Sequence, residues 1–160
     1  MGLFSKKKNS PLQMGIPIKG KIVDITEVPD DVFAQKYMGD GVAIYPTEGK
    51  VYSPADGEII VMAETGHAIG IRTKEGVEFL IHVGLDTVDM KGEGFKNLVA
   101  EGDKVKRGQS LLSFDLELVK ERAKSTVSPI IITNMEAVER IEKNGLFEST
   151  DILITVFIKK

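Results

Sequence analysis

The 160-residue chain contains no cysteine and no tryptophan. Without cysteine there is no disulfide, no thiolate nucleophile and no cysteine-held zinc, a composition that suits a reducing compartment. Basic residues are not in excess either, since 21 Lys and Arg stand against 24 Asp and Glu for a net charge of -3. A general nucleic-acid binder needs a basic face, so no nucleic-acid partner is expected. Long apolar runs are missing. The best of them, residues 152–158, falls far short of the roughly 20 residues that a membrane helix takes. No apolar segment follows Lys6-Lys7-Lys8 in the way a secretory signal requires, so the expected address is the cytoplasm. Histidine is scarce too. There are two, and the search for chemistry narrows accordingly.

What is present describes an ordinary globule, with 42% hydrophobic and 28% charged residues in a length that suits one domain. Residues 1–15 read as a flexible basic tail, whose Leu3 and Phe4 beside three lysines would hold an anionic membrane only weakly. Residues 16–160 read as a single domain. Within it, segments 16–25, 42–45, 57–62, 68–73, 77–83, 110–114, 129–133 and 152–158 are short, rich in Ile and Val, and bounded by Gly, Pro, Asp or Asn. Helical signals are few. Asp30-Asp31 can cap a turn over 32–36, and Asp115 can cap a helix over 116–123, while 134–143 is open between helix and strand. The expected class is all-β, an antiparallel β-sandwich or barrel-sandwich hybrid with a few short helical turns. A weak repeat supports it, because Pro17-Ile18-Lys19-Gly20-Lys21-Ile22 and Pro54-Ala55-Asp56-Gly57-Glu58-Ile59 share a P-x-x-G-x-I pattern that launches a strand from a turn. A third glycine-bounded turn pair lies at 99–109.

The two histidines, His67 and His82, flank a turn candidate at 73–76, so the segment reads as a β-hairpin. Register decides whether they meet. A two- or four-residue loop centred between Lys74 and Glu75 puts His67 directly opposite His82, with Cβ atoms about 5 Å apart. A three-residue loop closing on Gly76 shifts the pairing by one and sends the rings to opposite faces, unless a bulge restores them. Facing imidazoles would be useful together. One neutral ring can attack phosphorus near physiological pH, while the other donates a hydrogen bond to the phosphoryl oxygens. Alternation along the second strand puts Phe79, Ile81 and Val83 towards the core, and Leu80 and His82 on the other face.

Longer segments carry a resemblance. Glu64-Thr65-Gly66-His67-Ala68, then Gly76-Val77-Glu78-Phe79-Leu80-Ile81-His82-Val83-Gly84-Leu85-Asp86-Thr87-Val88, resembles the glucose-type enzyme IIA family of the sugar phosphotransferase system. Val28-Pro29-Asp30, Phe33-Ala34, Gly39-Asp40-Gly41, Lys91-Gly92-Glu93-Gly94-Phe95, Phe114-Asp115-Leu116 and Ala123-Lys124-Ser125 match as well. The resemblance implies a phosphocarrier that takes phosphate from phospho-HPr onto His82 through Nε2. The group would then pass to the cysteine of a IIB domain, which serves a IIC membrane permease during sugar uptake. It further implies that His67 contacts the phosphoryl oxygens, that Thr65 bonds His67 or the phosphate, and that the carbonyl of Gly84 holds Nδ1 of His82. Asp86 is assigned to active-site electrostatics or partner docking. Phe33, Met38, Leu80 and Val88 are expected to line an apolar rim where HPr and IIB dock in turn. No cofactor and no metal is implied, and contact with the membrane is expected only through partners. Some members of the family also regulate other proteins through their phosphorylation state.

Two other readings start from the same residues. His82-Val83-Gly84-Leu85-Asp86 fits the H-x-x-x-D of lysostaphin-like zinc endopeptidases, and His67 would complete a His2Asp set, but the further H-x-H segment of those enzymes is missing. A biotinyl or lipoyl carrier would need a lysine at the tip of a tight hairpin. Met90-Lys91-Gly92 is the nearest approach.

Overall fold

The computed structural model describes residues 10–148 and 150–160. Strands dominate, and every pairing is antiparallel. The main sheet is built from β2 (Gly20–Asp24), β3 (Asp40–Pro46), β5 (Gly57–Met62), β6 (Ala68–Thr73), β7 (Glu78–His82), β9 (Lys104–Val105) and β11 (Ser128–Ile132), in the order β2-β3-β11-β7-β6-β5-β9. A second sheet runs β1 (Leu12–Gly15), β13 (Ile152–Ile158), β12 (Val138–Glu142), and a third runs β4 (Lys50–Tyr52), β10 (Ser110–Phe114), β8 (Phe95–Asn97). Two short helices, α1 (Asp31–Ala34) and α2 (Leu116–Arg122), start where their caps predict: Asp30 accepts from the Val32 amide at 2.9 Å and Asp115 from the Leu118 amide at 3.1 Å. The all-β sandwich expectation is met. Its layers close over one large core to which the main sheet contributes Val42, Ile44, Ile69, Ile71, Phe79, Ile81, Ile130 and Ile132, and the smaller sheets Met14, Leu111, Leu112, Leu153, Ile154 and Val156.

Central strands are covered on both faces. In β11 all five residues are buried, because Ile131 points away from the main core into a second cluster with Val23, Ile25, Val28, Phe33, Ala43, Leu85 and Val127. Alternation in β7 follows the expected pattern: Phe79 and Ile81 point inward, and Leu80 and His82 point to the outer face. That outer face, with the cap formed by α1 and the turn after β7, is where the histidines lie.

The N-terminal third departs from expectation. Residues 16–25 do not form one strand. Leu12–Gly15, read from sequence as tail, pairs with β13, the chain turns a corner at Pro17 and Ile18, and β2 begins at Gly20. Proline has no amide to continue a ladder, so the run breaks there. The two P-x-x-G-x-I turns face each other: Gly15 donates to Pro54 O and Tyr52 to Pro17 O, each at 2.8 Å. Residues 1–9, with the Leu3-Phe4 and lysine segment, lie outside the described residues. Strands β4, β8 and β9 are only two or three residues long, too short to leave a pattern in sequence. The ambiguous 134–143 segment divides into a 3-10 turn, Met135–Ala137, and β12.

Candidate functional site

The hairpin closes with the three-residue loop, the register expected to send the two rings to opposite faces. Thr73 and Val77 pair through a 2.9 Å hydrogen bond, and the three-residue loop ends on Gly76 at φ +90. Ala68, not His67, therefore stands opposite His82. Strict alternation would send His67 inward with Val83. It escapes because β6 begins only at Ala68 and His67 closes the preceding turn. Gly66, at φ +76, bends the chain there, and the Ala63 amide bonds Ala68 O at 3.0 Å across the turn. A Cβ at Gly66 would meet Asn97 Oδ1 at 2.7 Å and Phe95 Cβ at 2.9 Å, so this bend requires glycine. His67 keeps a strand-like link to its neighbour, its carbonyl accepting from the Val83 amide at 2.7 Å. Its ring swings onto the face of His82, with centroids 5.1 Å apart and planes at 76°. The rings meet, though not by the predicted pairing.

Each ring is held by one nitrogen. Nδ1 of His82 lies 2.8 Å from Gly84 O; a carbonyl can only accept, so the proton sits on Nδ1 and the lone pair on Nε2. Nδ1 of His67 lies 2.5 Å from Thr65 Oγ1. Phe33 places its ring 5.4 Å from that of His82 and is itself buried. Burial pushes the His82 pKa below its usual 6.5, against the opposing pull of Gly84 O, Asp30 and Asp86. Burial lowers His67 as well, aided by repulsion from His82. Both rings are therefore neutral at neutral pH, the state a nitrogen nucleophile needs.

A shallow hollow of about 120 Å³ opens beside His82, lined by Asp30, Phe33, Leu85, Asp86, Thr87 and Val88. Asp86 is exposed and takes a left-handed conformation at φ 60. The assigned site residues His82, His67, Thr65 and Gly84 thus form one chain of contacts, and Asp86 borders it. The four assigned rim residues separate. Met38 and Val88 are 39% and 55% exposed, whereas Phe33 is buried against His82 and Leu80 packs on the second core cluster. Phe33 is a wall of the site and not part of an open rim, because α1 folds it under its own cap.

Three polar residues at the site went unassigned. Asp30 caps α1 as its sequence predicts, and its charge also acts on His82. Thr87 and Ser128 are completely buried behind Gly84. Asp30 and Thr87 both lie within segments that carry the family resemblance, whereas nothing local ties Ser128 to the histidines. Among the described residues no group of three or more His, Cys, Asp or Glu is placed to hold a metal ion, so Asp86 does not complete the His2Asp set of the zinc reading. Lys91 ends the 3-10 turn Thr87–Met90 and not a β-hairpin, so it lacks the setting of a biotinyl or lipoyl lysine.

Residues 12–138 match the family described as phosphoenolpyruvate-dependent sugar phosphotransferase system, EIIA 1. The chain belongs to this EIIA family. It is 60% identical over 141 residues to the PTS system glucose-specific EIIA component of Bacillus cereus, covering 88% of this chain and 84% of that protein. It is 52% identical over 119 residues to the PTS system glucose-specific EIICBA component of Staphylococcus carnosus, which spans 74% of this chain and 18% of the longer protein. The fold matches the solved glucose permease IIA from Mycoplasma capricolum with a TM-score of 0.81 at 36% identity, over 91% of this chain and 96% of that one. As an EIIA component, the protein is a phosphotransferase-system phosphocarrier in sugar uptake. It works with the IIB and IIC components of that system. No helix among the described residues is long and apolar enough to cross a membrane.

Proposed function

We propose that the EIIA phosphoryl group is carried on Nε2 of His82, that it arrives from phospho-HPr and that it leaves to the cysteine of a IIB domain. One observation carries the reading: Nδ1 of His82 is committed to Gly84 O while the ring of His67 stands 5.1 Å away. The lone pair on Nε2 attacks phosphorus, the bond from phosphorus to the donor breaks, and its electron pair returns to the donor. The positive charge that develops on the ring is spread through Nδ1–H onto the Gly84 carbonyl. With Thr65 donating to Nδ1 of His67, the proton of that ring sits on Nε2, free to bond a phosphoryl oxygen. The buried Phe33 wall limits water around the labile N–P bond.

Asp30 and Asp86 give the hollow an acidic border, which favours a cationic partner surface around the phosphate. The exposed Val88, which lines the hollow, supplies apolar contact there, and the exposed Met38 is proposed to extend the docking rim. Since the chain has no cysteine, a cysteine acceptor must belong to another domain. The names of the relatives point to glucose as the sugar, and the expected place of work is the cytoplasmic side of the permease.

The test is incubation with phosphoenolpyruvate, enzyme I and HPr. The wild-type protein is expected to gain one acid-labile, base-stable phosphoryl group, and His82→Ala to gain none. Phosphate on another residue, or undiminished labelling of His82→Ala, would refute the assignment.

A further inference from the structure

Gly84 supplies the carbonyl that sets the tautomer of His82, yet by residue type it is poorly able to hold a conformation. Its φ of +70 lies in the left-handed region, and a Cβ there would meet Thr87 Cγ2 at 2.7 Å and Ser125 O at 3.0 Å. The position demands glycine, and glycine has the widest backbone freedom of any residue. Contacts from outside must remove that freedom. Two peptide planes flank Gly84. The Gly84–Leu85 plane carries the working carbonyl, and its Leu85 amide donates to Ser125 O at 2.9 Å. The Val83–Gly84 plane is gripped at both ends by side-chain hydroxyls. Thr87 Oγ1 donates to Val83 O at 2.7 Å, and the Gly84 amide donates to Ser128 Oγ at 3.1 Å.

Both hydroxyl residues are 0% exposed. Ser128 spends its single proton on Thr126 O at 2.9 Å, so its oxygen is left as an acceptor facing the Gly84 amide. Burying a hydroxyl is unfavourable unless it is bonded, and alanine or valine would fill such space more cheaply. Two such groups converge here on one peptide. We infer that Thr87 and Ser128 are positioning residues for phosphoryl transfer, which together fix the Val83–Gly84 peptide and so place Gly84 O against Nδ1 of His82. Neither touches the reacting atoms. A neutral imidazole in water favours the proton on Nε2, which would block the nucleophile; the fixed carbonyl reverses that preference. The inference rests on His82 as the phosphoryl acceptor. Thr87 opens the 3-10 turn Thr87–Met90 that follows β7 and is close to Gly84 in sequence, but Ser128 begins β11, 44 residues beyond Gly84, so the clamp exists only in the folded chain.

The experiment pairs 15N-histidine NMR of the unphosphorylated full chain with the initial rate of phosphoryl acceptance from phospho-HPr. Thr87→Val and Ser128→Ala are the test variants. Ser53→Ala is the control, since Ser53 is also buried and donates to Ala55 O at 2.7 Å in another part of the fold. Each test variant is expected to move part of the His82 population to the Nε2-protonated tautomer and to slow acceptance about tenfold. Ser53→Ala should change neither, and Thr87→Ser, which keeps the hydroxyl, should recover both. If Ser128→Ala does not fold, Ser128→Cys, similar in shape but a weak acceptor, is expected to shift the tautomer in the same direction. Wild-type tautomer and rate in both test variants overturn the inference, as does an equal effect of Ser53→Ala. Failure of the His82 assignment looks different: wild-type protein would take no phosphate on His82, and the tautomer measurement would still decide the clamp.

Discussion

The histidine pair and Lys143 are both half-buried polar clusters, and they are completed in opposite ways. Lys143 Nζ donates to Asp24 Oδ1 at 2.6 Å and to Asp40 Oδ1 at 2.9 Å, and Lys36 stands 3.5 Å from the other oxygen of Asp40. Burial would raise the Asp24 pKa, but hydrogen bonds from Lys143 and Thr26 outweigh it and bring the group down from 3.8 to about 2. Burial would likewise lower Lys143, and its two carboxylates hold it above its usual 10.5. Every charge there is met, and the cluster ties the end of β12 to β2 and β3. A cavity of about 740 Å³ adjoins it, larger than the hollow at His82. At the histidines each Nδ1 is used, and among the described residues neither Nε2 has a hydrogen-bond partner. A satisfied cluster holds the fold together, whereas the unpartnered Nε2 atoms leave the histidine pair open to the proposed phosphoryl group.

The contrast breaks most visibly at His67. His67→Gln should still accept phosphate from HPr but pass it to IIB at least about 100-fold more slowly, as expected if the imidazole stabilises the transfer state more than the adduct. Single-turnover assays of the two half-reactions would show it; equal slowing of both steps would mean that His67 acts on binding alone. At the other cluster, Lys143→Met should leave phosphoryl acceptance unchanged while lowering stability by about 1–3 kcal/mol, because two half-buried carboxylates lose their cation. Urea denaturation measures the loss, and an unaltered midpoint would show the cluster to be incidental.

Acidity should resolve the two regions with smaller effects. The folded pKa of Asp24 is depressed, so its contribution is present above 3.8 and is lost as pH falls towards about 2. Lys143→Met should flatten the stability profile in that window. The histidine pKa values are depressed too, so folding favours the neutral rings and their contribution is present above 6.5, then lost as pH falls through the lowered folded values. Phosphoryl acceptance should accordingly persist below pH 6.5 and decline only as His82 itself protonates, which NMR titration of the ring locates. A rate that halves at pH 6.5 would place His82 in ordinary solvent.

Much of this was legible without coordinates. The inward set of β7, the caps at Asp30 and Asp115 and the turns before Gly20 and Gly57 follow from alternation, short-range hydrogen bonding and proline chemistry, which act within a few residues. The three-residue hairpin loop was also legible, since Gly76 favours it, but its consequence was not. A one-residue shift should have separated the histidines, and the turn at Gly66 cancelled it. That turn depends on Phe95 and Asn97, some thirty residues further on, packing against the glycine.

The residue types and their order along the chain determined the class of fold, the two nitrogen nucleophiles on offer and the glycines where the backbone bends, because those properties are local. Tertiary structure decided that two rings from mismatched register meet on one face, that Phe33 is a wall, and that a serine from β11 accepts from the Gly84 amide. Such contacts join segments far apart in sequence, and their geometry exists only once the sheets have packed.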